Sequence, residues 1–199
     1  VPAAAPSTDA GLLRRLPAEL APHRRAVALL APLAGAWAVW ASGPSWATPA
    51  LVVAAAAGAT LGVVDARTHR LPDAVTLPTL AAVLLLLSLA AVAAGDGSRL
   101  VRAAAAAAVL GVAYLLLHLV NRRGLGLGDV KLAVLLGLPA GWAGWEAVWW
   151  TGALPFLLGG LAALALVVAR RATRHSALAF GPWMLAGAAG ALTLSRLSG

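Results

Sequence analysis

The 199-residue chain contains no cysteine, so disulfides, thiolate zinc sites and a cysteine nucleophile are excluded. It is also poor in charge. Lysine, arginine, aspartate and glutamate together make up 11% of the sequence against 61% hydrophobic residues, a balance that fits a membrane protein rather than a soluble one. The stretches 49–64, 74–94 and 100–117 lack any polar stripe at helical spacing, which the outer faces of a soluble bundle would need. Residues 1–25 carry prolines and charges without a short apolar core, so no cleavable signal peptide is expected there. No internal repeat is visible beyond alanine-rich low complexity.

What the sequence does have is a series of apolar runs. A helix needs roughly 20 residues to cross a hydrocarbon core about 30 Å thick. The expected fold is therefore an all-α, polytopic membrane protein of about seven transmembrane helices. Spans are expected near 26–41, 50–64, 74–94, 100–120, 130–145 and 147–168, with a last one opened by FGPWMLAG at 180–187. Residues 1–25 read as a cytoplasmic tail, and 26–199 as a single helical membrane domain. Gly137, Pro139 and Gly141 interrupt the fifth span, which predicts a kinked or irregular outer half. Alanine-rich helices suit close packing in lipid.

The net charge of +8 matters through its distribution. With Asp65 and Asp129 at the cytoplasmic face, Arg14, Arg15, Arg24, Arg25, Arg67, Arg70, Arg122, Arg123, Lys131, Arg170, Arg171 and Arg174 lie inside. Only Arg99, Arg102 and Arg196 lie outside. That bias orients the chain with its N-terminus cytoplasmic and its C-terminus outside. It accounts for the basic residues without a nucleic-acid partner; the partner it implies is the lipid bilayer. Trp37, Trp40, Trp46, Trp142, Trp145, Trp149 and Trp150 fall toward the outer end, as an interfacial aromatic belt does.

The chain has seven acids: Asp9, Glu19, Asp65, Asp73, Asp96, Asp129 and Glu146. Most fit tails, turns or interfaces. Asp65 and Asp129 sit at the inner ends of the second and fifth spans, where an acid is costly enough to point to function. Asp129 closes GLGLGD at 124–129, where glycine permits positive φ and close backbone approach; on its own it also reads as a helix cap. Two neighbouring carboxylates share one proton, so one can act as general base on water while the other hydrogen-bonds a scissile carbonyl. Two carboxylates without a nearby histidine or third acid make a poor metal cage, and no cofactor is expected. A packed or interfacial role is expected for His118, with His69 the other histidine able to approach it. Competing classes are a transporter or ion channel and a catalytically silent assembly factor. The clustering of acids at one face, with no charge at mid-membrane, disfavours transport.

Three stretches resemble one family, the bacterial type IV prepilin peptidases, which are GxGD-type membrane aspartic proteases. DARTHRLPD at 65–73 is similar to the family segment that opens with the first catalytic aspartate. GLGLGDVKL at 124–132 is similar to its second motif, and FGPWMLAG at 180–187 to its last-helix FGP signature. The resemblance spans about 65–187 and implies catalytic roles for Asp65 and Asp129 and supporting roles for Gly126, Gly128 and Lys131. Asp73, Phe180, Gly181 and Pro182 are candidates for the substrate cleft. It also implies an aspartic endopeptidase of the inner (plasma) membrane, with its active site at the cytoplasmic face. Its substrate would be a prepilin or pseudopilin with a short hydrophilic leader before a membrane helix. The chain departs from many members of the family by lacking their cysteine-containing region, so N-methyltransferase activity is not expected.

Overall fold

A computed structural model describes residues 24–69, 71–122, 124–169 and 179–198. The expected tail lies outside these residues as far as residue 23, as do Arg14, Arg15, Arg70, Arg123, Arg170, Arg171 and Arg174. The described residues form seven helices and no strand: α1 (Arg24–Ser42), α2 (Thr48–Thr68), α3 (Asp73–Ala94), α4 (Gly97–Val120), α5 (Leu127–Ala143), α6 (Trp145–Val168) and α7 (Gly181–Ser198). The protein is all-helical, and five helices, α1 to α4 and α6, are long and apolar enough to cross a membrane.

The shortest helix, α5, is the most enclosed. Leu132 and Leu135 are fully buried, and every residue from Leu135 to Trp142 is buried. Its small residues explain this. A Cβ on Gly137 would lie 2.6 Å from the Ala107 Cα, and one on Gly141 would lie 2.5 Å from the Ala106 Cβ and 2.7 Å from the Ala103 Cα. Glycines four residues apart thus bring the α5 backbone against the alanine face of α4. The helix does not break at Gly137, Pro139 and Gly141: α5 runs through all three. The glycines serve a close approach, and the helix ends at Ala143, before Gly144 with φ 156°.

Contacts at the helix ends fix the alternating directions. Trp37 Nε1, late in α1, donates to Thr193 Oγ1, late in α7 (3.1 Å). Arg102, early in α4, donates from Nε and Nη2 to the carbonyls of Gly141 and Trp142 at the end of α5 (2.7 and 2.9 Å). An arginine there satisfies carbonyls that have no partner within their own helix. The other two arginines assigned to this end are also engaged: Arg99 pairs with Asp96 (3.2 Å), and the Arg196 guanidinium lies against Gly43, whose φ is +59°. The seven tryptophans of the expected belt gather at this same end, on the last turns of α1 and α5, the α1–α2 connection and the first turns of α6. Asp65 and Asp129 lie at the opposite end.

Candidate active site

Helix α2 does not stop where its apolar run stops. Asp65, expected just beyond the second span, lies inside the helix, which continues to Thr68 and ends at His69 in a left-handed conformation (φ 52°). The helical ladder depends on backbone bonds, so polar side chains do not end it: the His69 amide still donates to the Asp65 carbonyl (2.8 Å). The loop expected over 66–73 shrinks accordingly, because Asp73 already opens α3. Asp65 is 5% exposed. Its Oδ2 accepts the Gly181 amide (2.9 Å), the first N–H of α7. That amide is one of the donors a helix start leaves unpaired, and the helix dipole favours an anion there. A Cβ on Gly181 would lie 2.6 Å from that Oδ2, so the glycine of the FGP motif is what admits the carboxylate.

Asp129, expected to precede its span, is the third residue of α5 and is 8% exposed. Gly126, not Asp129, is the N-cap. Asp129 Oδ2 accepts the Gly126 amide (2.8 Å), which is one half of a capping box; glycine has no side chain to return the other half. Asp129 therefore helps close the helix start from its third position instead of serving as the N-cap. Asp129 and Asp65 lie within electrostatic reach of each other, with His118 also near Asp129 and His69 near Asp65.

No glycine before Asp129 is needed for a left-handed backbone, and Gly128 acts by close approach. Among the described residues, positive-φ glycines are Gly43, Gly95 and Gly144, so none belongs to the 124–129 motif. A Cβ on Gly128 would sit 2.9 Å from Leu71 Cβ, so Gly128 seats the Leu-Pro turn that precedes α3. One turn further on, Lys131 Nζ donates to Asp73 Oδ1 (2.6 Å). Two residues that the sequence placed in separate roles are therefore partners, tying the start of α3 to the start of α5. Phe180 packs in an aromatic trio with Tyr114 and Phe156, with ring centroids 6.4 and 5.1 Å away. Pro182 lines an apolar groove of about 560 Å³, shared with Leu30, Leu33, Gly62 and Ala66.

Sequence reading missed Tyr114 here and gave His118 only a packed or interfacial role. Tyr114 is buried and within electrostatic reach of Asp129. His118 Nδ1 bonds the carbonyl of Leu125, one residue before the cap (2.6 Å). Their four-residue spacing puts both on one face of α4, a signal that was available once that face was known to meet the motif. Among the described residues, no group of three histidines or acids could hold a metal ion.

Fold and site together define a polytopic helical membrane protein in which two buried carboxylates, each held by a backbone amide, lie within electrostatic reach of each other at one end of the bundle. The chain belongs to the Type IV leader peptidase family, whose sequence profile matches residues 51–169, both aspartates included. It is similar to the prepilin leader peptidase/N-methyltransferase of Dickeya chrysanthemi, with 36% identity over 140 residues covering 70% of this chain and 48% of that protein. The protein of that name from Burkholderia pseudomallei strain K96243 is 33% identical over 165 residues (80% and 50% of the two chains). That from Pseudomonas aeruginosa is 25% identical over 158 residues (79% and 53%). The chain spans about half the length of these curated relatives. No solved structure gave a significant match.

Proposed function

We propose that this protein is a membrane aspartic endopeptidase that removes the leader of type IV prepilins or pilin-like precursors at the cytoplasmic face of the cell membrane. The observation that carries this reading is the burial of Asp65 and Asp129 within electrostatic reach of each other. Helices α2 and α5 bring two carboxylates, 5% and 8% exposed, within electrostatic reach. Each commits Oδ2 to a backbone amide, which fixes the orientation of its other oxygen.

Such a pair shares one proton. The ionised carboxylate takes a proton from water as the water oxygen attacks the scissile carbonyl carbon. The protonated partner hydrogen-bonds the carbonyl oxygen as negative charge develops on it. Collapse of the tetrahedral intermediate breaks the C–N bond, and a carboxyl proton passes to the leaving amine. Preorganisation by backbone amides keeps both groups in place without a reorganisation cost during the step. The bias of basic residues toward the aspartate end supports a cytoplasmic site, and seven alternating helices support seven crossings with the N-terminus inside. N-methyl transfer, which the relatives' names add, is not part of the proposed activity.

The test is to purify the protein into nanodiscs, add candidate prepilins encoded beside its gene, and follow them by mass spectrometry. Release of a leader by a single cut before the hydrophobic helix is expected. Intact precursors throughout, together with proton or cation flux in proteoliposomes, would replace the peptidase with a transporter.

A further inference from the structure

We infer that His118 is a positioning residue for Asp129 and acts through the Leu125–Gly126 peptide. This peptide unit is held at both ends. Its carbonyl oxygen meets His118 Nδ1 at 2.6 Å, and its N–H donates to Asp129 Oδ2 at 2.8 Å. A carbonyl oxygen only accepts, so Nδ1 carries the proton and donates. The peptide is planar and stiff; fixing its oxygen fixes the direction of its N–H on the opposite edge. Withdrawal of electron density from the carbonyl also makes the same unit's N–H a better donor. The orientation of the Asp129 carboxylate is thereby referred to α4, an element that carries neither aspartate.

That reference frame is firm. The backbone contacts of Gly137 and Gly141 lock α4 to α5, and a Cβ on Gly111 would meet Val134 Cγ2 at 2.6 Å. Both partners of the relay therefore stand on one rigid helix pair, and Leu125 is buried between them at 7% exposure. On the far side of the loop, Asn121 Oδ1 accepts the Gly124 amide (3.1 Å), so the loop is pinned just upstream as well. His118 does not need to touch substrate to matter.

The catalytic consequence rests on the proposed peptidase reading; the positioning itself does not. Two variants of the full chain separate the effects: His118→Leu keeps bulk without a donor, and His118→Asn places an amide N–H near the Nδ1 position. Two readouts are taken in nanodiscs: hydrogen exchange of the Gly126 amide by NMR, and kcat and KM for leader removal. In His118→Leu, Gly126 exchange is expected to speed up about 10-fold, and kcat to fall about 10-fold, the scale of one hydrogen bond. KM should stay within about twofold, and His118→Asn should recover most of both losses. If His118→Leu does not insert, His118→Gln, whose donor sits one methylene further out, replaces it with the same expectation. Wild-type Gly126 exchange in His118→Leu, or no recovery in His118→Asn, would overturn the inference. If Gly126 exchange responds as expected while wild-type protein cuts no prepilin, the positioning stands and the peptidase reading fails.

Discussion

Replacing Gly181 by alanine adds one methyl group where the structure leaves no room for it. The new Cβ would lie 2.6 Å from Asp65 Oδ2, 3.1 Å from Cγ and 3.4 Å from Cβ. Oδ2 would have to retreat by about 0.8 Å to regain an ordinary 3.4 Å contact. The whole carboxyl group stands in the way, and at 5% exposure it has little space to swing into. Retreat also stretches or breaks the bond from the Gly181 amide, a hydrogen bond to a charged group worth about 1.5–3 kcal/mol. A displacement near 1 Å in a reacting group costs about 100-fold in rate. Leader cleavage by Gly181→Ala in nanodiscs is therefore expected to fall about 100-fold in kcat. Thermal stability should fall by about 1–3 kcal/mol, as for other overpacked sites. Gly160→Ala is the control, because a Cβ there meets nothing within 4 Å, and alanine is favoured over glycine inside a helix by about 0.5–1 kcal/mol. Cleavage by Gly181→Ala within twofold of the wild-type rate would refute the claim that this glycine exists to admit Asp65.

Three further tests probe the scaffold around the site. Gly128→Ala presses on Leu71 at 2.9 Å and should cost about 1–3 kcal/mol. Adding Leu71→Ala should return part of that loss, read as a coupling energy in a double-mutant cycle of thermal unfolding. Gly137→Ala meets the α4 backbone instead of a side chain, so nothing can rotate aside. It should destabilise the protein more than Gly128→Ala does, measured under the same detergent conditions. The Lys131–Asp73 pair, with side chains 39% and 47% exposed, should show a coupling of about 0.2–1 kcal/mol. The charge-swapped double variant Lys131→Asp/Asp73→Lys should unfold close to wild type, whereas either single reversal should not.

The parts of the molecule readable from sequence are those written in local composition. Apolar runs located all seven described helices to within a few residues, because a helix surrounded by other helices and lipid must be apolar nearly all round. Helix ends were misplaced where polarity and helicity part company. Asp65 lies within α2 because a backbone ladder continues under polar side chains, and Leu127 opens α5 because Gly126 supplies the cap. Gly137 and Gly141 read as breakers when viewed along the chain, yet they are spacers when α4 lies against them; that distinction is tertiary. Within the site, the sequence marked Asp65 and Asp129, since an acid at a membrane edge is costly, and the family resemblance marked Gly181, as a candidate for the substrate cleft. It did not pair Lys131 with Asp73 or connect His118 to Asp129, because those links join residues on separate elements and run, in one case, through a main-chain peptide.

The most direct test of the two-aspartate site is leader removal by wild type, Asp65→Asn and Asp129→Asn, each reconstituted at equal amounts and shown to keep wild-type helix content and unfolding temperature. Asparagine keeps the size of aspartate and can still accept a hydrogen bond from the Gly181 or Gly126 amide, but it cannot take a proton from water or share one with its partner. The account predicts that wild type cuts and that each single variant falls by at least about 1,000-fold, consistent with loss of a group that acts as one unit with its partner. Cleavage at the wild-type rate by either correctly folded variant would contradict it.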